Sequence, residues 1–194
     1  AASDVYKRQR LGSVVTKQAF AISQGEGRNR TSGNYGGLEY TGRVEVLPFG
    51  EFTGKGDYFG SDLKREATPK LSIGVTYDYN DRAARERGNL GGYVADTAYS
   101  SLNTTFVDLM FKYNGLSVAA EYANKQINGD RLVDAEDNFI SNYYTGSGTA
   151  VQAGYLLPSN LEFAARYTTI APEKASGRDL QDMYTIGVSK YIVG

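Results

Sequence analysis

"TTFVDLMFKYNGLSVAAEYAN", residues 104–124, contains two runs of alternating residues that meet at Asn114-Gly115. Both central residues of a tight two-residue hairpin turn take a positive φ, which Asn and Gly tolerate better than other residues. The stretch therefore predicts an antiparallel hairpin whose turn is Asn114-Gly115.

The two faces of this hairpin differ in polarity. One face is apolar, with Val107, Leu109, Phe111, Tyr113, Leu116, Val118, Ala120 and Tyr122. The other face carries charges of both signs, with Asp108, Lys112, Glu121 and Lys125. In a soluble sandwich the apolar face would meet a core, whereas in a membrane barrel it would meet lipid and the charged face would meet a water-filled lumen. The alternation alone favours neither.

Composition excludes several classes of protein. The chain has 194 residues, a formal net charge of -1, no cysteine and no histidine. Without them it lacks the usual general base, the commonest transition-metal ligand and any thiolate nucleophile. No apolar run reaches the roughly 20 residues that a membrane helix needs. We therefore expect no enzyme, cofactor or metal site, and no nucleic-acid partner.

Eight alternating segments recur along the chain, which predicts an all-β, antiparallel up-and-down fold. They cover residues 14–24, 38–49, 71–79, 104–113, 116–126, 150–157, 161–170 and 183–192. One short helix is predicted at 61–66, "SDLKRE", with Ser61 as its cap and Pro69 beyond its end.

The predicted connections alternate in length. Residues 25–37, 80–103, 127–149 and 171–182 are long and polar, whereas 114–115 and 158–160 are tight. Outer-membrane barrels place short turns on the periplasmic side and long loops outside. Only residues 50–70, of intermediate length where a short turn is expected, interrupt this alternation.

The predicted strands keep one face free of charge. Its members include Tyr40, Val44, Val46, Leu71, Ile73, Val75, Tyr77, Tyr79, Val151, Ala153, Tyr155, Leu157, Leu161, Phe163, Ala165, Tyr167, Tyr184, Ile186 and Val188. A charge on a lipid-facing position near the bilayer midplane would cost about 2–4 kcal/mol, so a membrane would enforce such rows. Tyr113 and Tyr155 at short turns, with other tyrosines toward the long loops, predict two interfacial girdles. Lys190 and Tyr191 break the alternation, which predicts a bulge or an interfacial position there.

The two ends of the chain do not resemble the ends of a complete domain. Residues 1–9, "AASDVYKRQ", resemble the translation of a sequencing-library adaptor, so they are excluded from the fold prediction. The chain stops directly after a predicted strand. We therefore expect residues 10–194 to be a partial β-barrel domain from a longer protein.

A family resemblance begins at "GLEYTGRVEVLPFGEFTGKGDYFGSDLKRE", residues 37–66, and continues through "TPKLSIGVTYDYND", "LNTTFVDLMFKYNGLSVAAEYANK" and "YTIGVSKYIVG". These stretches resemble the phosphate-selective porin O and P family of Bacteroidetes-type outer membranes. The resemblance implies a sixteen-stranded transmembrane β-barrel, of which this chain would supply about eight strands of the C-terminal half. It also implies an outer-membrane location, contact with membrane lipid, a homotrimer at full length, and small anionic solutes such as phosphate or polyphosphate.

The charged face supplies the predicted pore-lining residues. They are Lys17, Glu39, Arg43, Glu45, Lys70, Asp78, Asp108, Lys112, Glu121, Lys125, Glu162 and Arg166. Six cations stand against six carboxylates, which predicts pairing across neighbouring strands and little net field. These residues therefore indicate anion selectivity less strongly than the resemblance does. The arginine and lysine selectivity elements of the family match no position here.

Two loops carry further candidate residues. Arg82, Arg85 and Arg87 would attract anions to an extracellular mouth, or would pair within a solvated loop with Asp81 and Glu86. Four acids lie between residues 128 and 138, namely Asp130, Asp134, Glu136 and Asp137. Their carboxylates are of the kind that binds Ca²⁺, but their spacing fits no EF-hand, so pairing with the basic loop is favoured over metal binding.

Three functions stay open at this point. The sequence favours an outer-membrane porin for passive diffusion, with an anion or phosphate preference implied by the resemblance. The alternatives are a structural or adhesive outer-membrane barrel with a plugged lumen, and a soluble secreted β-sandwich.

Overall fold

The computed structural model describes residues 3–27, 35–94, 99–128, 143–173 and 178–192. Their strands are β1 (Ser3–Leu11), β2 (Val14–Gln24), β3 (Leu38–Leu47), β4 (Lys70–Ala83), β5 (Ser100–Tyr113), β6 (Leu116–Asn128), β7 (Gly146–Leu156), β8 (Leu161–Pro172) and β9 (Gln181–Lys190). One 3₁₀ helix, η1 (Thr53–Tyr58), lies between β3 and β4.

All nine strands form one antiparallel sheet in which each strand pairs with the next along the chain. This confirms the all-β, up-and-down prediction. The prediction of eight strands is wrong by one, because β1 forms from residues that were excluded. The sheet is open: β1 and β9 are its two edges, so closure into a barrel is not observed.

The turns have the expected backbone conformations. Asn114 and Gly115 have φ values of 48° and 88°, which confirms the hairpin turn. The β7–β8 turn places Asn160 at φ 61° and is closed by a 2.9 Å hydrogen bond from Asn160 N to Leu157 O. These turns, together with the β1–β2 turn, define one end of the sheet, called here the short-turn end. The opposite end is called the long-loop end.

The helix predicted at residues 61–66 is absent. The segment forms a turn in which Asp62 accepts hydrogen bonds from the backbone N of Glu66, and Arg65 has a φ of 49°. The Asp62 carboxylate closes this turn on Glu66 N, in place of a helix capped by Ser61. The helical residues lie earlier, in η1. Within the described residues, no helix has the length and hydropathy to cross a bilayer.

The two faces of the sheet differ in exposure. The apolar face, defined by the rows through Tyr40, Ile73, Leu109, Val151 and Phe163, is uncovered: Ile73 is 40% and Phe163 52% exposed. The polar face, defined by the rows through Lys17, Arg43, Asp108, Glu121 and Arg166, holds the sheet's buried polar side chains, among them Ser72, Thr104 and Lys112. The mid-strand apolar side chains are therefore exposed, whereas buried positions at mid-sheet are held by polar side chains.

Two small apolar cores lie at the ends of the sheet, beneath loops. At the short-turn end Phe52 packs with Val15 and Leu47, and Met110 lies against them. At the long-loop end Ala83, Val94, Leu102 and Tyr143 form the second core. Each core contains residues from a loop that covers the polar face. The apolar rows at mid-strand belong to neither core.

The edge strand β1 does not separate apolar and charged residues onto two faces. Lys7 is paired with Gln18 on the apolar face, and all residues of β1 are exposed. In the strands β2 to β8, by contrast, the apolar rows carry no charge between their ends. This difference is expected if residues 1–9 come from an adaptor, which stays a prediction.

Lys190 and Tyr191 lie at the short-turn end. The β8–β9 pairing runs without a register shift to Lys190, so there is no bulge. Lys190 Nζ donates to Ser159 O of the β7–β8 turn, and Tyr191 follows the strand. Both residues lie at the end of the sheet, and the interfacial position, the other predicted alternative, stays a prediction.

Candidate functional site

All twelve predicted pore-lining residues lie on the polar face. The register aligns Lys17 with Glu45, then Gly74, Asp108, Glu121 and Ala150 on successive strands. The same parity contains Glu39, Arg43, Lys70, Asp78, Lys112, Lys125, Glu162 and Arg166. The structure thus brings them onto one surface, as the alternation predicts.

The polar face is concave. Arg43 of β3 and Thr168 of β8 line the same cavity of about 430 Å³. In a flat sheet, five strand spacings would separate these strands by about 24 Å. The sheet therefore curls around its polar face into a trough.

The β3–β4 connection, residues 48–69, folds into this trough and is called here the inner loop. Its carboxylates and backbone contact strands at both sides of the trough. Glu51 pairs with Arg8 and Arg10 of β1, and Asp57 pairs with Lys17 of β2 at 2.7 Å. Ion pairs therefore hold the inner loop against β1 and β2 on the polar face.

The inner loop also reaches the later hairpins. Asp62 Oδ2 accepts a 2.8 Å hydrogen bond from Gly115 N in the β5–β6 turn. Arg65 donates to Leu156 O at 2.7 Å, to Leu157 O and to Asn160 Oδ1 in the β7–β8 turn. One connection thus ties together turns that lie far apart in sequence. It covers the short-turn end of the polar face.

Lys112 anchors the inner loop and does not line open space. Its ammonium donates to the carbonyls of Gly56, Phe59 and Ser61 at 2.7, 2.6 and 2.7 Å. The side chain is 1% exposed. Three carbonyls satisfy the three hydrogen-bond donors of the ammonium. The prediction that Lys112 faces a pore is therefore wrong in its detail: the residue shares that face but is covered.

The predicted pairing across neighbouring strands holds for one pair. Lys17 Nζ contacts Glu45 Oε1 at 2.8 Å across β2 and β3, and Asp57 of the inner loop completes the group. Arg43 instead reaches over β4 to Asp108 on β5, at 2.6 and 2.8 Å. Pairing limited to adjacent strands is therefore wrong for Arg43.

Most other predicted cations bind neutral oxygens. Lys70 donates to Phe49 O, Lys125 donates to Arg87 O, and Arg166 donates to Gln152 Oε1. Backbone and amide oxygens are uncharged, so they do not neutralise these cations. Such contacts are not visible in a count of charged residues.

The remaining predicted carboxylates bind hydroxyl groups or are exposed. Glu39 accepts from Ser23 Oγ, Asp78 from Thr41 Oγ1, and Glu162 from the phenol of Tyr191. Glu121 is exposed, and no hydrogen bond or ion pair to it occurs among the described residues. It is therefore free to meet a solute.

Residues 84–94, called here the outer loop, fold onto the long-loop end of the polar face. Arg85 donates to the carbonyls of Gly91, Glu26 and Asn89, which makes it a structural residue. Lys125 holds the outer loop through Arg87 O at 2.9 Å. The outer loop thus covers one end of the trough, as the inner loop covers the other.

The three arginines predicted at the mouth have different environments. Arg82 is largely exposed and lies 3.6 Å from Asp81. The Arg87 guanidinium lies 4.5 Å from the ring centre of Tyr144, whose ring also contacts Arg178. Because Arg85 is bound to carbonyls, the three do not form one anion-attracting cluster. Of the two predictions for these arginines, pairing with Asp81 within a solvated loop describes Arg82.

The predicted acidic loop lies outside the described residues, because Asp130, Asp134, Glu136 and Asp137 all fall between 129 and 142. Its pairing with the basic loop stays a prediction. Among the residues that the structure describes, no group of three or more metal-ligating side chains is found.

Sequence reasoning missed the residues that anchor the inner loop, Asp57, Asp62 and Arg65. Their one visible signal was length, since residues 50–70 are too long for a short turn. Nothing in their spacing identifies their partners, which lie on four different strands or turns.

Comparison with known proteins adds no relative. No protein-family model, no curated protein and no solved structure matches the chain.

Proposed function

We propose that this chain forms part of a β-barrel in a bacterial outer membrane, and that the barrel encloses a water-filled channel for passive diffusion of small solutes. One observation carries the proposal: the curled sheet turns its charged face inward and leaves its apolar face uncovered.

The exposed apolar rows are costly in water. Val75 is 46% exposed and Tyr77 50% exposed at the middle of β4. Burying a large apolar side chain contributes about 1.5–3 kcal/mol, and these rows forgo part of that gain on every strand. Hydrocarbon around the sheet would remove the cost. Strands of 10–14 residues from β2 to β9 also suffice for the roughly 9–11 residues of a tilted membrane-crossing strand.

The girdle tyrosines support the same orientation. Tyr113 and Tyr155 lie on the apolar face near the short-turn end, and Tyr40 lies beside Tyr79 toward the long-loop end, with ring centres 6.5 Å apart. Amphipathic rings at two levels suit the two interfaces of a bilayer.

The solute preference rests on the family resemblance, which implies anions and phosphate in particular. On the polar face Arg43 and Lys17 are paired with carboxylates, and Lys112 is covered. An anion preference would therefore have to come from Lys70, Lys125 and Arg166, which bind neutral oxygens, or from groups outside the described residues. We keep it as a testable expectation.

Planar-bilayer recording tests the channel. We expect stepwise conductance after reconstitution of the full-length protein that contains this chain, and reversal potentials in phosphate and chloride gradients would measure ion preference. A reversal potential of cation-selective sign would contradict the phosphate expectation and leave the channel in place. Retention of the protein in the aqueous phase without detergent would contradict the membrane location and favour a soluble protein, although a single sheet offers no second layer for a sandwich.

A structural or adhesive barrel is the second candidate. It is favoured by the inner and outer loops, which cover both ends of the polar face. Membrane insertion without any conductance would select it over the channel.

A further inference from the structure

The cavity of about 430 Å³ occupies the part of the trough between the inner and outer loops. Arg43, Phe106, Asp108, Glu121, Thr168 and Ile170 are among the residues that line it. Gly148 and Ala150 lie on its floor, and their small size leaves the cavity open. A volume of this order accommodates a small organic molecule.

The cavity has one carboxylate more than it has cations. Asp108 and Glu121 are directly opposite each other on β5 and β6. Like charges in such a pair, with Cβ atoms about 4.5–5.5 Å apart, destabilise a sheet. Arg43 binds both oxygens of Asp108 at 2.6 and 2.8 Å, which neutralises that carboxylate. Glu121 keeps its charge.

Other cations of the polar face are engaged elsewhere. Lys17 lies between Glu45 and Asp57, Lys112 donates to three carbonyls, and Lys125 donates to Arg87 O. Arg166, which binds Gln152, does not line the cavity. The described residues therefore leave Glu121 without a cation, and a solute would have to supply one.

Two large apolar side chains, Phe106 and Ile170, lie on the polar face at this cavity. Phe106 is 42% and Ile170 48% exposed, and both line the cavity. Neither is buried against another part of the fold, so their exposure costs free energy in water. An aromatic ring near a carboxylate suits an ammonium ion, which the face of the ring also attracts.

We propose that this cavity binds organic cations, with a primary ammonium group at Glu121 and an apolar body against Phe106 and Ile170. The hydroxyl of Thr168 would accept a further ammonium hydrogen. As a statement about which solutes cross the membrane, the proposal rests on the proposed channel and is opposed to the anion preference that the family resemblance implies. The binding site itself depends on neither.

Binding is tested by NMR titration of the isotope-labelled chain in dodecyl maltoside micelles with phenethylammonium chloride. We expect saturable shifts of the backbone amides of Phe106, Glu121 and Thr168. The neutral analogue 2-phenylethanol should bind about tenfold more weakly, which corresponds to about 1.4 kcal/mol. Inorganic phosphate should give no saturable shift at these amides.

Two variants separate the charge of Glu121 from overall charge. Glu121→Gln should weaken phenethylammonium binding about tenfold and leave 2-phenylethanol binding unchanged. Asp179→Asn removes an exposed carboxylate outside the cavity and should leave both affinities unchanged. Both side chains are exposed, so neither substitution removes a packed group.

Three results would overturn the proposal: equal affinity for the alcohol and the ammonium ion, saturable phosphate binding at the same amides, or an unchanged affinity in Glu121→Gln. Bilayer recording distinguishes failure of the binding site from failure of the proposed channel. Binding without conductance would remove the channel and leave the site, whereas conductance without binding would remove the site alone.

Discussion

Arg43 and Asp108 form a two-bond ion pair across an intervening strand. Arg43 lies on β3 and Asp108 on β5, and the guanidinium reaches the carboxylate over β4 at Gly74. A Cβ at Gly74 would lie 2.5 Å from Asp108 Oδ2 and would also overlap Arg43 Nη2. The missing side chain therefore allows charges to pair over two strand spacings.

Gly74→Ala should separate this pair. The methyl group would push apart the flexible ends of Arg43 and Asp108, which we expect to lower the free energy of unfolding by about 1–2 kcal/mol. Urea unfolding in detergent micelles would measure the change. Gly42→Ala is the matched control, because nothing lies within 4 Å of a Cβ at that strand position. An equal effect of the two substitutions would mean that loss of glycine from a strand, and not the ion pair, is being measured.

Lys112→Met should release the inner loop. The substitution keeps the length of the side chain but leaves the carbonyls of Gly56, Phe59 and Ser61 without their donor, at about 1–3 kcal/mol for each unsatisfied group. Trypsin should then cleave at the exposed Lys55 and Lys64 at least about tenfold faster.

Lys70→Met provides the comparison for Lys112, since Lys70 donates to one carbonyl only, Phe49 O at 3.1 Å. We expect little change in cleavage at Lys55 and Lys64. If Lys112→Met left the cleavage rate unchanged, Asp62 and Arg65 would hold the inner loop without it.

Asn114→Ala should destabilise the β5–β6 hairpin. Asn114 has a φ of 48°, a conformation that costs an alanine about 1 kcal/mol. Asn114→Gly should stay within about 0.5 kcal/mol of the parent protein, because glycine takes positive φ without steric strain. Thermal unfolding monitored by circular dichroism would rank the three proteins. A glycine variant as unstable as the alanine variant would show that the Asn114 side chain, not its backbone, stabilises the turn.

Tyr143 should make the long-loop end sensitive to alkali. Burial raises the pKa of its phenol above the ordinary value of 10.0, although the hydrogen bond from Ser100 N opposes the shift. The folded protein therefore holds this proton more tightly than the unfolded chain. Its contribution to stability is complete below pH 10.0 and is lost as the pH rises through the raised pKa of the folded state.

The difference between Tyr143→Phe and the parent protein isolates this titration. Near-ultraviolet phenolate absorbance follows the ionisation of the tyrosines as the pH rises. The variant should lack one of the tyrosines that ionise at the highest pH in the parent protein. Loss of a tyrosine from the early part would mean that Tyr143 is accessible to solvent when the protein is folded.

The sequence predicted the strands well because alternation and turn chemistry are local properties. The positive φ of Asn114 follows from an Asn-Gly pair, and the sorting of Asp108 and Lys112 onto the polar face follows from their parity alone. The extra strand β1 was missed because residues 1–9 were excluded and because charged Lys7 on the apolar face breaks the alternation seen in the other strands.

The contacts of the polar face could not be predicted in the same way. Lys112 binds backbone carbonyls of the inner loop, and carbonyls carry no signature in sequence. The Arg43–Asp108 pair requires both the strand register and the absence of a side chain at Gly74. Charge counting treated these residues as equivalent lining groups, whereas packing of the inner loop gives each a different environment.

Adjacent residues on β7 offer the sharpest test of the membrane orientation. Val151 lies on the apolar face and is 41% exposed, whereas Ala150 lies on the polar face opposite Glu121. Val151→Lys should cost about 2–4 kcal/mol in a lipid bilayer, because its ammonium would lie near the midplane. Ala150→Lys should be tolerated, since Glu121 would neutralise the new charge across the strand pair. Urea unfolding from liposomes would give both free energies. In a soluble protein the exposed Val151 position would accept lysine with little loss, so equal stability of the two variants would contradict a lipid-facing apolar surface, and the proposed channel with it.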